Sequence, residues 1–136
     1  MAIERRAHAT WEGDLRGGAG HFDLTSSNAI TGQEVTFASR FEQPGGKTSP
    51  EELIAAAHAT CFSMALAGVL AQGGHPPTKL ETDAGYRITT MQLTVQGEVE
   101  GIGEDEFESA AKQAEKGCPV SNALTGVEIS FEASLA

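Results

Sequence analysis

The sequence predicts an α+β fold, and three observations carry that prediction. A single long apolar helix, with a clear start and a clear stop, occupies the middle of the chain. Strand-like alternation flanks it on both sides. The order of elements is three strands, long helix, strand, helix, strand, which is not a repeated strand–helix unit. At 136 residues the chain is read as one domain over 1–136, with enough material for one core and not for two.

Residues 3–12 alternate roughly between apolar and polar and include Ile3 and Trp11. Gly13-Asp14 and Gly17-Gly18 mark turns. Residues 19–25 then read as a return strand with Phe22 and Leu24 on one face, which makes a hairpin. Residues 33–42, QEVTFASRFE, read as a third strand. Val35, Phe37, Ser39 and Phe41 share one face; Thr36, Ala38 and Arg40 share the other. Pro44-Gly45-Gly46 closes this section.

The strongest helix start follows. Ser49 is the N-cap, Pro50 takes the first helical position, and Glu52 falls third, which spells a capping box. Glu51 and Glu52 sit where the helix dipole favours negative charge. The helix runs to about Gln72 and stops at Gly73-Gly74, a length of roughly 33 Å at about 1.5 Å per residue. From Leu53 to Ala71 it is almost uncharged, with alanine at 55, 56, 57, 59, 65, 67 and 71. A helix apolar all round is buried all round. One short chain has little to wrap it with, so a second copy is expected as cover.

Beyond the linker His75-Pro76-Pro77, residues 78–84 allow a short extended piece and 86–99 read as one long strand. Residues 104–116 form a second helix with Phe107, Ala110, Ala111 and Ala114 on its apolar face. Residues 119–124 allow a short helix. Residues 127–135 close the chain as a strand with Val127, Ile129, Phe131, Ala133 and Leu135 on one side.

Composition narrows the function. Apolar residues make up 40% and charged residues 21%, a globular balance, and the net charge is −10. So negative a surface repels nucleic acid and anionic membranes, and Arg5-Arg6 is too small to offset it. The most apolar run, Cys61 to Ala71, is too short to span a bilayer. The N-terminal MAIERRAHATWEGD lacks the apolar core of a secretory signal, so a cytoplasmic location is expected. No P-loop, dinucleotide loop or Gly-x-Ser-x-Gly elbow occurs, and no cofactor is implied.

Two cysteines remain, Cys61 and Cys118. In a reducing compartment a permanent disulfide is not expected. Two inert buried thiols are one reading, since cysteine packs well in cores. Local context offers another. Cys61 lies mid-helix, with His58 three residues earlier on roughly the same face and Thr60 and Ser63 adding small polar groups. A thiol there becomes reactive only if a cation reaches it. Arg40, set among Phe37, Ala38, Ser39 and Phe41, is the candidate; otherwise it is a solvent-facing strand residue. Cys118 follows a helix end at Gly117 and precedes Pro119, an N-cap-like position facing free backbone N–H groups. His58, Cys61 and Cys118 would supply three zinc ligands, but no fourth is evident and no metal is expected.

The residues then resemble a known family. SPEELIAAAHATCFSMAL, 49–66, resembles the central helix of the OsmC/Ohr peroxidases, and KGCPVSNAL, 116–124, resembles their second-cysteine motif. HATWEGDLRGGAGHF and FASRFE resemble the OsmC branch. The resemblance implies an OsmC/Ohr-like fold: an intertwined homodimer with a long buried central helix and antiparallel sheet. It implies Cys61 as peroxidatic cysteine, Cys118 as resolving cysteine, Arg40 as the arginine that activates the thiolate, and Glu51 as the glutamate that holds Arg40. It further implies reduction of organic hydroperoxides, and of hydrogen peroxide, with electrons from a small or protein-bound dithiol. A related hydrolase or thiol-transfer enzyme, or a non-catalytic redox-binding dimer, are the alternatives. One departure stands out: relatives carry a further strand before residue 86, where roughly ten residues look absent here. Glu51 and Cys61, ten residues apart on one helix, would lie roughly 15 Å apart along its axis. Glu51 is therefore expected to serve the Cys61 of the other chain.

Overall fold

A computed structural model describes residues 3–86, 90–124 and 128–136. The chain divides into two compact units, Met1–Leu53 and Ile54–Ala136.

In the first unit, β1 (His8–Glu12), β2 (Ala19–Asp23) and β3 (Gln33–Thr36) form an antiparallel meander in the order β1-β2-β3. Glu12 pairs with Ala19 and Gly20 with Val35. The first turn is tied by Asp14, whose carboxylate accepts from the Gly17 N–H and whose carbonyl accepts from the Gly18 N–H and the Trp11 indole. Gly20 has a steric reason to lack a side chain. A Cβ there would stand 2.6 Å from the Thr10 carbonyl oxygen and from the Trp11 ring.

The expected strand over 33–42 stops halfway. From Phe37 to Phe41 the chain is a one-turn helix, α1. Thr36 is its N-cap: the Thr36 hydroxyl accepts from the Ser39 N–H at 3.1 Å, and the Ser39 hydroxyl accepts from the Thr36 N–H at 2.9 Å. This reciprocal capping box satisfies two end donors at once and outweighs the period-2 pattern of the segment. Ser39 is buried, with its hydroxyl also within reach of the Thr48 carbonyl, so α1 is fastened to the segment leading into the next helix.

That helix, α2, runs unbroken from Pro50 to Gln72. The Ser49 hydroxyl accepts from the Glu52 N–H at 3.1 Å, as an N-cap should. The expected reciprocal bond takes a different form, because the Glu52 carboxylate accepts from the Thr48 hydroxyl at 2.6 Å. At the other end Gly74, at φ +84°, donates to Ala71 and His75 donates to Leu70. These two bonds form a Schellman stop, which requires a left-handed residue and so favours glycine.

The second unit holds β4 (Lys79–Tyr86), β5 (Thr90–Glu98), α3 (Glu104–Gly117), α4 (Pro119–Ala123) and β6 (Glu128–Leu135). Its sheet has the order β4-β5-β6. The sequence reading differs here in three ways. The expected single strand over 86–99 is two: Tyr86 ends β4 and pairs antiparallel with Met91 of β5. Ile88 and Thr89, assigned to that strand, lie outside the described residues, as does Val127. The short extended piece expected over 78–84 is a full strand, β4, eight residues long. The sheet is not antiparallel throughout, because β5 and β6 run parallel, with Leu93 opposite Phe131. Parallel neighbours need a long crossover, and α3 with α4 supplies it.

The core of this unit joins Phe62, Leu66 and Leu70 of α2 to Leu93 and Val95 of β5. Phe107, Ala110, Ala111 and Ala114 of α3 and Cys118 complete it. Gly97 makes room for the Phe107 ring, which would lie 2.5 Å from a Cβ at that position. α3 buries the face its sequence predicts. α2 does not. It was expected to be buried all round, yet only His58, Phe62, Leu66 and Leu70 are buried, a single stripe at four-residue spacing. Met64 is 71% exposed. At its full length α2 is also long and apolar enough to cross a bilayer, although the run from Cys61 to Ala71 was too short; its stripe instead lines a core.

Candidate active site

Two groups of side chains carry chemistry, one in each unit. In the first, Arg40 stands in the last turn of α1 and Glu51 in the first turn of α2. The Arg40 Nε donates to the Glu51 carboxylate at 2.8 and 3.2 Å, and Nη2 lies 2.8 Å from Oε1. This is the forked geometry of a charge-assisted pair. The Arg40 guanidinium also lies 4.9 Å from the centroid of the Phe41 ring. Arg40 therefore neither points freely into solvent nor sits on a strand; α1 turns it toward the carboxylate. Both side chains keep partial exposure, so the guanidinium retains an open edge toward a further anion.

In the second unit, Cys61 is half-buried on α2 and packs against the hydrophobic cluster to which Cys118 belongs. The two thiols stand as a near-disulfide pair. Cys118 is fully buried at the junction of α3 and α4. Its N–H meets the Glu115 carbonyl, closing α3, and its carbonyl accepts from the Asn122 N–H at 3.0 Å, opening α4. It thus holds the N-cap place expected from Gly117 and Pro119, turned into the core.

The polar neighbours of Cys61 are already engaged. The Thr60 hydroxyl donates to the Ala56 carbonyl, and the Ser63 hydroxyl bonds the Ala59 carbonyl and the Thr82 hydroxyl of β4. His58 is fully buried, and its Nε2 lies 2.5 Å from the Ser121 hydroxyl of α4. Burial holds the His58 imidazole below its ordinary pKa, favouring the neutral ring. His58 is thus a hydrogen-bonding core residue. Ser121 was not singled out in the sequence, although it lies three residues after Cys118 as His58 lies three before Cys61. Among the described residues no group of three His, Cys, Asp or Glu side chains is arranged to hold a metal ion.

Residues 43–132 match the family model of OsmC-like proteins. The chain belongs to the OsmC/Ohr family. It is 41% identical over 133 residues to peroxiredoxin OsmC of Escherichia coli strain K12, covering 91% of this chain and 92% of the relative. It is 29% identical over 135 residues to an organic hydroperoxide resistance protein-like protein of Staphylococcus aureus strain MSSA476, covering 93% and 91%. Among solved structures, the organic hydroperoxide resistance protein of Elizabethkingia anophelis matches the whole of both chains with a TM-score of 0.71 at 22% identity. OhrB of Bacillus subtilis matches 95% of this chain and 98% of its own at 0.70 and 21%. These structures share the OsmC/Ohr fold. The chain is a redox-active cysteine-pair member of the OsmC/Ohr peroxiredoxin family.

Proposed function

We propose that this OsmC/Ohr protein is a thiol-dependent peroxidase for organic hydroperoxides, and for hydrogen peroxide, acting as one OsmC-like domain in a cytoplasmic homodimer. The observation that carries this reading is the Cys61–Cys118 pair, one thiol half-buried and the other fully buried in one cluster. The Cys61 thiolate attacks the peroxide O–O bond, becomes a sulfenic acid and releases an alcohol. Cys118 condenses with the sulfenic acid, expelling water and forming the disulfide. An external dithiol reopens it by exchange. The apolar surroundings of Cys61 favour alkyl hydroperoxides over more polar oxidants, in keeping with relatives named for organic hydroperoxide resistance.

Arg40, held by Glu51, stabilises the thiolate and the departing oxygen. The pair reaches the Cys61 of the partner chain. Two features support this reading. α2 is continuous through residues 52–54, where a site built from one chain's Glu51 and Cys61 would need a break. The exposed apolar surface of α2 calls for a second copy. Steady-state turnover on an alkyl hydroperoxide and on hydrogen peroxide, with several dithiol donors, tests the function. Non-reducing peptide mapping after mild oxidation is expected to give a Cys61–Cys118 link within one chain. A Cys61–Cys61 link between chains would overturn the assignment.

A further inference from the structure

The two cysteines are bridged by a contact that the reaction scheme leaves unused. His58 precedes Cys61 by three residues on α2, and Ser121 follows Cys118 by three residues on α4. Their hydrogen bond joins positions 63 residues apart in sequence and is buried at both ends, His58 fully and Ser121 at 6% exposure. Among the described residues the His58 Nδ1 has no hydrogen-bond partner. Among the described residues Ser121 is thus the only hydrogen-bond partner of the buried imidazole. A polar bond kept in an apolar core is costly unless fully made, and it specifies one arrangement of the groups it joins. Here those groups are the two segments that carry the thiols. α4 is only five residues long, and Cys118 caps it, so fixing Ser121 fixes the resolving thiol.

We propose that the His58–Ser121 hydrogen bond is a latch that positions Cys118 for attack on oxidised Cys61, making both positioning residues for disulfide formation. This inference rests on the peroxidase reading for its first step alone. In that step the Cys61 thiolate gives two electrons to the hydroperoxide, the O–O bond breaks and an S–O bond forms, leaving Cys61–SOH and an alkoxide that takes a proton from solvent to leave as an alcohol. In the second, Cys118 sulfur displaces hydroxide from Cys61, and the departing oxygen leaves as water with the thiol proton. The latch acts on the second step.

The test compares wild type, Ser121→Ala and Ser121→Thr, which removes and restores the hydroxyl. Each fully reduced protein receives one equivalent of cumene hydroperoxide without reductant, with dimedone trapping the sulfenic acid and intact mass reading the disulfide. In Ser121→Ala, Cys61 oxidation is expected at the wild-type rate and disulfide closure about tenfold slower, the scale of one buried hydrogen bond. Dimedone adduct should rise correspondingly, and Ser121→Thr should restore closure. A merely structural role would slow both steps together with a drop in Tm. That result, or unchanged closure, overturns the latch. A parallel oxidation with diamide, which takes two electrons and two protons from the thiol pair, needs no peroxide chemistry. If wild type closes the disulfide with diamide yet ignores hydroperoxide, the peroxidase reading fails and the latch is still read from Ser121→Ala. Equal partition between diamide adduct and disulfide in wild type and Ser121→Ala, or no Cys61–Cys118 bond in either, overturns the latch itself.

Discussion

The two long helices solve the same problem differently. α3 is amphipathic: Phe107, Ala110, Ala111 and Ala114 are buried, while Glu104, Asp105 and Glu106 open it and Lys116 closes it. Its pattern is satisfied within its own chain. α2 is apolar on every side, yet buries one stripe, and leaves Met64 among the exposed apolar residues. The difference teaches that pattern alone sets how much surface a helix must hide, not which molecule hides it. α3 is built for one neighbour. α2 carries Cys61 on one face and, in the proposed dimer, a subunit contact on another.

The sharpest way to separate the two helices is by what their loss removes. Cys61→Ala should abolish peroxide consumption outright, with the fold intact by circular dichroism. Cys118→Ala should still permit one turnover and leave a trappable sulfenic acid on Cys61. A sulfenic acid on Cys118 in the Cys61→Ala protein, with retained rate, would reverse the roles. On α3 the large effect is on stability. Phe107→Ala removes a fully buried ring seated against Gly97, and should cost about 3–5 kcal/mol in urea unfolding. A smaller loss would mean that the α3 face is less decisive than its burial suggests.

Two intermediate effects probe the second face of α2. Neither E51A nor C61A homodimers should turn over at full rate, but mixing equal amounts should restore about a quarter of wild-type sites if Glu51 acts across the interface. No recovery after confirmed subunit exchange would place Glu51 with its own Cys61. Met64→Glu puts a charge on the exposed apolar surface and should shift sedimentation toward monomer, with little change in the stability of the α3 core. An unchanged dimer would move the interface elsewhere.

The smallest expected effect is the pH response of the buried stripe. His58 is held below its ordinary value of 6.5 by burial alone, with no charged neighbour contributing. As pH falls through 6.5 the unfolded chain takes up a proton that the folded chain refuses. The stability His58 contributes is therefore full above pH 6.5 and declines below it. Urea unfolding between pH 7.5 and pH 5 should show this slope in wild type and a flatter one in His58→Gln, over about that range of the histidine titration. Equal slopes would assign the acid sensitivity to other groups.

Much of this could be read before any coordinates, where the cause is local. Ser49, Pro50 and Gly73-Gly74 bound α2 because capping involves only neighbours in the chain. The face of α3 follows from its period. Arg40 was found as a charge in an apolar setting, but its strand assignment failed, because alternation in VTFASRF hid a Thr36–Ser39 capping box. That signal was legible and was outweighed. The antiparallel pairing of β4 with β5 is not marked in the sequence, because Tyr86 to Met91 has no Asn-Gly or Asp-Gly pair.

By itself, then, the sequence determined the two long helices, the apolar character of α2, the pair of cysteines and the family to which their motifs point. These depend on residues a few positions apart, where geometry is set by 3.6-residue and 2-residue periods. Tertiary structure alone decided the rest. It set β6 parallel to β5, drew Glu51 to Arg40 across eleven residues, and placed Ser121 on His58 across 63. Such pairings follow from which surfaces meet after the chain collapses. A buried donor or acceptor must then find its partner among whatever groups the core brings within about 3 Å.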